Sequence, residues 1–114
     1  MEKCIFCKII KKEISSDTVY ESENVLAFRD IDVQAPTHIL VIPKEHVESV
    51  MGFDKENSHI FSEMGLAAKE ISIQEGISNK GFRWIINTGQ DGGQTVDHIH
   101  LHIMGGRQMS WPPG

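Results

Sequence analysis

A chain of 114 residues with a formal net charge of -5 and an isoelectric point near 5.6 suits one compact domain, residues 1–114, and is too short for two ordinary ones. Its acidity argues against nucleic acid or an anionic membrane as a partner, because those surfaces call for clustered Lys and Arg, whereas a small anion needs only one locally positive pocket. No apolar run reaches the length of a signal segment or a membrane span, so a cytoplasmic or nucleocytoplasmic setting is expected.

In chain order, the only two cysteines, Cys4 and Cys7, come first. In a reducing compartment their C-x-x-C spacing reads as a redox pair or two metal ligands before a structural disulfide. The segment "FCKIIKKEI", Phe6 to Ile14, places Phe6, Ile9, Ile10 and Ile14 at helical spacing and predicts a short amphipathic helix. "DTVYES" and "VLAFRD" then read as two strands turning at Glu23-Asn24, a hairpin. "APTHILVIP" is a continuous apolar run opened and closed by Pro36 and Pro43, as expected of a buried strand. A longer helix is predicted over Lys55 to Glu75, with Ile60, Phe61, Met64, Leu66, Ala67, Ala68 and Ile71 as its apolar stripe and Gly76 as its stop. "FRWIINT" is a further strand and "TGQDGGQT" a glycine-rich loop. "DHIHLHIM" is the last strand, and "GGRQMSWPPG" is an irregular tail. Helices intermixed with strands joined by short turns predict an α+β fold around a largely antiparallel sheet.

"DHIHLHIM" crowds three of the six histidines into five positions. Strand alternation puts His98, His100 and His102 on one face and Ile99, Leu101 and Ile103 on the other. Thr, Lys or Glu would serve a merely solvated face as well, so the array points to chemistry. One zinc ion cannot take all three. Residues i and i+4 of a strand are about 13 Å apart, the limit of two imidazoles reaching an ion end-on, and tetrahedral geometry excludes that arrangement. Two of the three can share an ion.

An imidazole, with its ordinary pKa of about 6.5, serves as nucleophile, general base or general acid. The central histidine is placed to attack phosphorus and form a hydrolysable phosphoimidazole, while flanking imidazolium ions offset the phosphoryl charge. Gly92, Gly93, Gln94 and Thr95 lead into the array, where successive backbone N–H groups can form an anion-binding nest. No "GK[ST]" follows, so the loop is not a Walker motif.

The stretch "GGQTVDHIHLHIMGGR", together with "CIFCKIIKKEI", "AFRDIDVQAPTHILVIPKEH" and the terminal "WPPG", resembles the histidine triad (HIT) superfamily, specifically its HINT branch of nucleotide-binding proteins, over essentially the whole chain. The resemblance implies a HIT-like fold, with a five-stranded antiparallel sheet and two helices per protomer and the sheets joined across a homodimer. It implies hydrolysis of purine nucleoside phosphoramidates and aminoacyl-adenylates, especially AMP linked to an amine, with AMP, GMP and their phosphoramidates as ligands. His100 matches the nucleophile that becomes nucleotidylated, His102 the member that hydrogen-bonds the phosphate, and His98 completes the triad. His38 matches a fourth histidine that orients the nucleophile. Thr95 stands where many relatives carry a Ser that assists the leaving group, and its extra methyl leaves the geometry open. Asn87, Gly93 and Gln94 match phosphate contacts, and Asp30 matches the acceptor of the ribose hydroxyls. Ile5, Phe6, Ile9, Ile14, Phe28 and Ile31 match the purine walls, although from pattern alone those residues read as core. Trp111 matches a position near the active site across the dimer.

A C-x-x-C pair needs two more ligands to close a structural zinc site. The resemblance implies Cys4, Cys7, His46 and His98, with His38 as the alternative ligand and no ion needed for the chemical step. Two reduced thiols on a short helix are the competing reading. His59, inside the long helical pattern, reads as a solvated surface residue. Three other functions compete with the hydrolase: a non-catalytic nucleotide-binding or scaffold protein, a zinc-dependent hydrolase, and a nucleotidyltransferase. The intact triad weighs against the last, whose distant relatives spell the motif differently.

Overall fold

Five runs rich in β-branched and aromatic side chains pair into a single sheet in the computed structural model, which describes residues 3–114. They are β1 (Thr18–Glu21), β2 (Val25–Arg29), β3 (Thr37–Pro43), β4 (Phe82–Ile86) and β5 (Leu101–Gly105). Their spatial order is β1-β2-β3-β5-β4, and every neighbouring pair is antiparallel. Two α-helices, α1 (Ile5–Ile10) and α2 (Ser58–Gln74), accompany the sheet. The fold class is the predicted one: α+β, with a five-stranded antiparallel sheet and two helices.

β3 is central and buried along its length because both of its faces are covered. Ile39 and Val41 pack with Met64, Ala67, Ala68 and Ile71 of α2, whereas Leu40 and Ile42 pack with Phe6 and Ile9 of α1. A strand covered on both sides needs apolar side chains at every position, which is why "HILVIP" shows no alternation. Among the described residues, no helix is long and apolar enough to cross a membrane.

Three boundaries differ from the sequence reading. The first helix ends at Ile10 rather than Ile14, because Lys12 adopts a φ of 65°. The N–H groups of Lys12 and Glu13 then cap the carbonyls of Ile9 and Lys8 at 3.0 and 2.9 Å. The second helix begins at Ser58, not Lys55, and closes at Gly76 as expected, with a φ of 75° there. Of its predicted stripe, Phe61 and Leu66 face outward instead of into the core.

The third difference concerns the histidines. The last strand begins at Leu101 rather than Asp97. Continuing the Val41–Leu101 register would set Ile99 opposite Pro43, which has no N–H to offer. The Ile99 N–H instead donates to the Val47 carbonyl at 2.7 Å. Alternation survives the loss of the ladder. Ile99, Leu101 and Ile103 join the core under α2, while the Phe6 ring of α1 meets His98 and His100 edge-on at 5.8 and 5.2 Å.

Candidate functional site

On the α1 side of the sheet a cleft of about 570 Å³ opens between α1, the end of β2 and the histidine segment. It brings together ten of the residues singled out in the sequence: Ile5, Phe6, Ile9, Ile14, Phe28, Asp30, Ile31, Thr95, His100 and His102. Apolar side chains form most of its wall, and His100, His102 and Thr95 supply the polar groups at one part of the lining. His98 and His38 are buried behind it.

Obligatory donors and acceptors of the backbone fix the protonation pattern of the imidazoles. The Nδ1 atom of His100 lies 2.9 Å from the carbonyl oxygen of His98, so Nδ1 carries the hydrogen and Nε2 keeps the lone pair. The Nε2 atom of His98 lies 2.8 Å from the Pro43 carbonyl, so there the hydrogen is on Nε2 and the lone pair on Nδ1. His38 is the reverse of His100, because the backbone N–H of Gln34 donates to its Nδ1 at 3.1 Å and places the hydrogen on Nε2. That Nε2–H donates to Nδ1 of His102 at 2.9 Å, with an Asp30 carboxylate oxygen 3.3 Å away as a second acceptor. His102 therefore carries its own hydrogen on Nε2. Among the buried side-chain nitrogens and oxygens of the described residues, this Nε2 is the one left without a partner. A buried donor with no acceptor costs about 1–3 kcal/mol, which a ligand oxygen would recover.

The expectation that flanking imidazolium ions neutralise phosphate is corrected. Burial pushes the pKa of both His98 and His102 down to about 4, and neighbouring imidazoles push the same way. Near pH 7 both rings are neutral. The cationic side chain at the cleft, Arg29, is committed to Glu75 through a bidentate pair at 2.8 and 2.9 Å. His102 therefore offers the polar end of the cleft an N–H dipole rather than a charge.

His38, which the resemblance matches to a histidine that helps orient the nucleophile, makes its side-chain contact with His102. The register explains this: His38 is opposite Met104 and His102 opposite Leu40, so the two histidines are diagonal neighbours on one face. The glycine loop also differs from its expected role. The N–H groups of Gly93 and Gln94 donate back to Gln90 and Gly89 at 3.1 and 3.0 Å, so these two donors do not build a nest. The Gln94 amide is occupied as well, donating to the carbonyls of Glu48 and Val96 at 2.7 and 3.0 Å and accepting from the Gly89 N–H. Asn87 lies half-buried just beyond β4, outside the cleft lining.

Behind the cleft, Cys4, Cys7, His46 and His98 bring one ligand atom each to within 4.8 Å of one another. Sulfur to nitrogen separations are 3.4 Å for Cys4–His98, 3.3 Å for Cys7–His46 and 3.6 Å for Cys7–His98. A tetrahedral zinc ion with bonds of roughly 2.3 Å to sulfur and 2.0 Å to nitrogen sets its S and N ligands about 3.6 Å apart, so the donor set fits. The Pro43 carbonyl acts as an outer partner that aims the His98 Nδ1 lone pair into the cluster. His38, the alternative ligand, lies in a different group with Asp30 and His102. That second group is unsuited to a metal, because the Gln34 N–H keeps the hydrogen on His38 Nε2 and leaves no lone pair there.

The HIT domain family matches residues 11–109. The chain belongs to the HIT family. It is 48% identical over 108 residues to the "Purine nucleoside phosphoramidase" of Escherichia coli strain K12, covering 95% of this chain and 91% of that one. It is 52% identical over 112 residues to the "14 kDa zinc-binding protein" of Zea mays, covering 96% and 87%. Among solved structures, the HIT family hydrolase from Legionella pneumophila Philadelphia 1 superposes with a TM-score of 0.96 at 47% identity, covering 98% of this chain and all of that one. Fold and relatives together support a hydrolase of the HIT type, and the Cys/His cluster is compatible with zinc.

Several residues of this HIT cleft were not singled out from the sequence. Ser15, Ser16, Asp17, Val33, Leu40 and Val96 also line it. Leu40 carried a signal, since it shares a strand face with His38, but it sits in a run that reads equally well as core. Val33 and the Ser15–Asp17 turn belong to irregular segments whose direction no periodicity reveals.

Proposed function

We propose that this HIT protein hydrolyses purine nucleoside phosphoramidates, AMP joined to an amine in particular, through a nucleotidyl intermediate on His100. The observation that carries this reading is the His100 ring. Its Nδ1–H is committed to the His98 carbonyl, which leaves a lone pair on Nε2 in a cleft that Thr95 and His102, with its unpartnered Nε2–H, also line. The activity for which the Escherichia coli relative is named supports the substrate class.

In this mechanism Nε2 of His100 attacks the α-phosphorus and the P–N bond to the amine breaks. Positive charge develops on the ring, and the His98 carbonyl dipole on Nδ1–H offsets it. The Thr95 hydroxyl gives its proton to the departing amine and takes one from solvent water in the same relay. Water then attacks phosphorus and releases a proton to solvent through the same hydroxyl, the phosphoimidazole bond breaks, and the electron pair returns to Nε2 as AMP leaves. His102 Nε2–H holds a phosphoryl oxygen throughout. Asp30 accepts the ribose hydroxyls, and Ile5, Phe6, Ile9, Ile14, Phe28 and Ile31 wall the purine. Gln94 shapes the glycine loop, its amide donating to the carbonyls of Glu48 and Val96.

The same reading places zinc on Cys4, Cys7, His46 and His98 as a structural ion, within a cytoplasm that keeps both thiols reduced. It also takes the protein as a homodimer joined along β4. That strand is a sheet edge, and it exposes Phe82 and Trp84 with ring centroids 5.7 Å apart, an apolar edge that calls for cover. The exposed Trp111 would reach the partner's cleft.

A fluorogenic AMP–tryptamine phosphoramidate tests the activity. The wild type is expected to release tryptamine and His100→Ala to lose at least about a thousandfold in rate. No release by the wild type, or equal release by the variant, sinks the enzymatic reading in favour of a nucleotide-binding protein that does not turn over.

A further inference from the structure

Resting on the role proposed above for His102, we infer that Arg107 is a positioning residue, which clamps the Gln34 turn beneath His38 and thereby fixes which nitrogen of His102 faces the phosphate. Arg107 lies just past β5 and is absent from the cleft lining. Its Nε–H donates to the Gln34 carbonyl at 3.1 Å, across 73 positions of sequence. The other side of that peptide residue, the Gln34 N–H, donates to His38 Nδ1 at 3.1 Å. His38 Nε2–H then donates to His102 Nδ1 at 2.9 Å, and the chain ends on the buried, unpartnered Nε2 of His102.

The chain has one direction. A backbone N–H can only donate, so His38 cannot place a hydrogen on Nδ1 without losing the Gln34 bond. His102 in turn cannot place one on Nδ1 while His38 Nε2–H points at it. Both imidazoles are thereby held with a hydrogen on Nε2, and the low pKa of His102, about 4, agrees with that geometry. The groups facing this pair are Asp30, His100 and the Gln34 N–H. The Asp30 carboxylate sits 3.3 Å from His38 Nε2, farther than the 2.9 Å contact with His102.

Close packing supports the clamp. Gly106 has a φ of 91°, and a Cβ built there would stand 2.8 Å from Cβ of Pro36, so the residue before Arg107 is pressed onto the same turn. The Gln34 side chain is spent within the turn on Asp32, which leaves the backbone to face His38 and Arg107. Asp30, Ile31 and Val33, on the same turn, line the cleft. One short segment therefore walls the nucleoside and sets the phosphate donor.

Imidazole nitrogen NMR on the uniformly labelled protein tests this without reference to turnover. In the wild type at pH 8, His38 and His102 are expected to show a hydrogen on Nε2 and none on Nδ1. Arg107→Met, which keeps the aliphatic stem, is expected to give mixed tautomers at both rings and to make His102 protonate at higher pH. With AMP–tryptamine its kcat should fall about five- to tenfold with KM changed less than twofold, and Arg107→Lys should recover part of the loss. A wild-type neutral His38 with hydrogen on Nδ1 overturns the inference even if no variant folds. A well-folded Arg107→Met with wild-type tautomers overturns it too. If the tautomers shift as expected but no substrate is turned over, the proposed activity fails and the clamp stands.

Discussion

An imidazole that cannot titrate is a different tool from one that can. His102 has its acceptor nitrogen filled by His38 and its donor nitrogen buried without a partner, so near neutrality it acts as a fixed dipole. Its depressed pKa of about 4 also couples it to stability. In the unfolded chain the same ring titrates at about 6.5. Between those values the unfolded state binds the extra proton, so stability is fully present above about pH 6.5 and is lost as pH falls towards 4. Replacing His102 with Asn removes this proton uptake. The wild type is therefore expected to lose more stability than His102→Asn between pH 7 and pH 5, read as the shift of the urea midpoint. The difference stays below about 1.4 kcal/mol per pH unit, because part of the ring faces solvent. Equal shifts would mean that His102 is not the group held neutral. At this scale the sequence was eloquent about which residues meet at the cleft and mute about their hydrogens. Three alternating histidines mark one face, but their tautomers depend on the carbonyls of Pro43 and His98 and the N–H of Gln34. Backbone groups belong to every residue type and leave no trace in composition.

The two helices end by the same device with different residues. In each, a left-handed residue follows the last turn, at Gly76 after α2 and at Lys12 after α1, and two N–H groups return to the final carbonyls. Gly adopts that conformation freely, whereas Lys is strained there. Lys12→Gly is expected to raise stability by about 0.5 kcal/mol, the relief of strain less the loss of an exposed ion pair to Glu21. Gly76→Ala should cost about 1 kcal/mol, since nothing crowds a Cβ there and only the backbone angle opposes it. Urea midpoints of both variants check the pair, and a destabilised Lys12→Gly would contradict this account of α1. The same residue explains where element boundaries escaped sequence reasoning. Ile14 has the right spacing to extend α1, but Lys12 turns the chain first and sends Ile14 to the cleft. Strand existence was plain from apolar runs and Pro36 and Pro43. The starting point of β5 was not, because it is set by a missing N–H on a partner strand more than fifty residues away.

At the scale of the molecule, the weak part is α1. Six residues are far too few for a helix to hold itself in water, yet Phe6 and Ile9 of α1 wall the cleft and complete one face of the core. The four residues of the Cys/His cluster come from the start of α1, the segment after β3 and the approach to β5, so an ion there would cross-link the helix to the sheet. Such an ion binds the folded chain and finds no preformed site in the unfolded one, so its binding energy becomes folding energy. At an ion concentration a thousandfold above the dissociation constant this amounts to about 4 kcal/mol, or roughly 15 °C in Tm for a chain of this size. Chelation, or Cys7→Ser, is expected to lower Tm by that order and to raise amide exchange first in residues 3–14. Since His100 and His102 lie outside the cluster, the loss in activity should appear mainly in KM, as the purine wall loosens, with kcat largely retained while the protein stays folded. Hydrogen exchange and steady-state kinetics on the same chelated sample separate the cases. A kcat that vanishes while exchange and Tm are unchanged would assign the ion to the chemistry itself, and unchanged Tm with unchanged activity would leave Cys4 and Cys7 as reduced thiols.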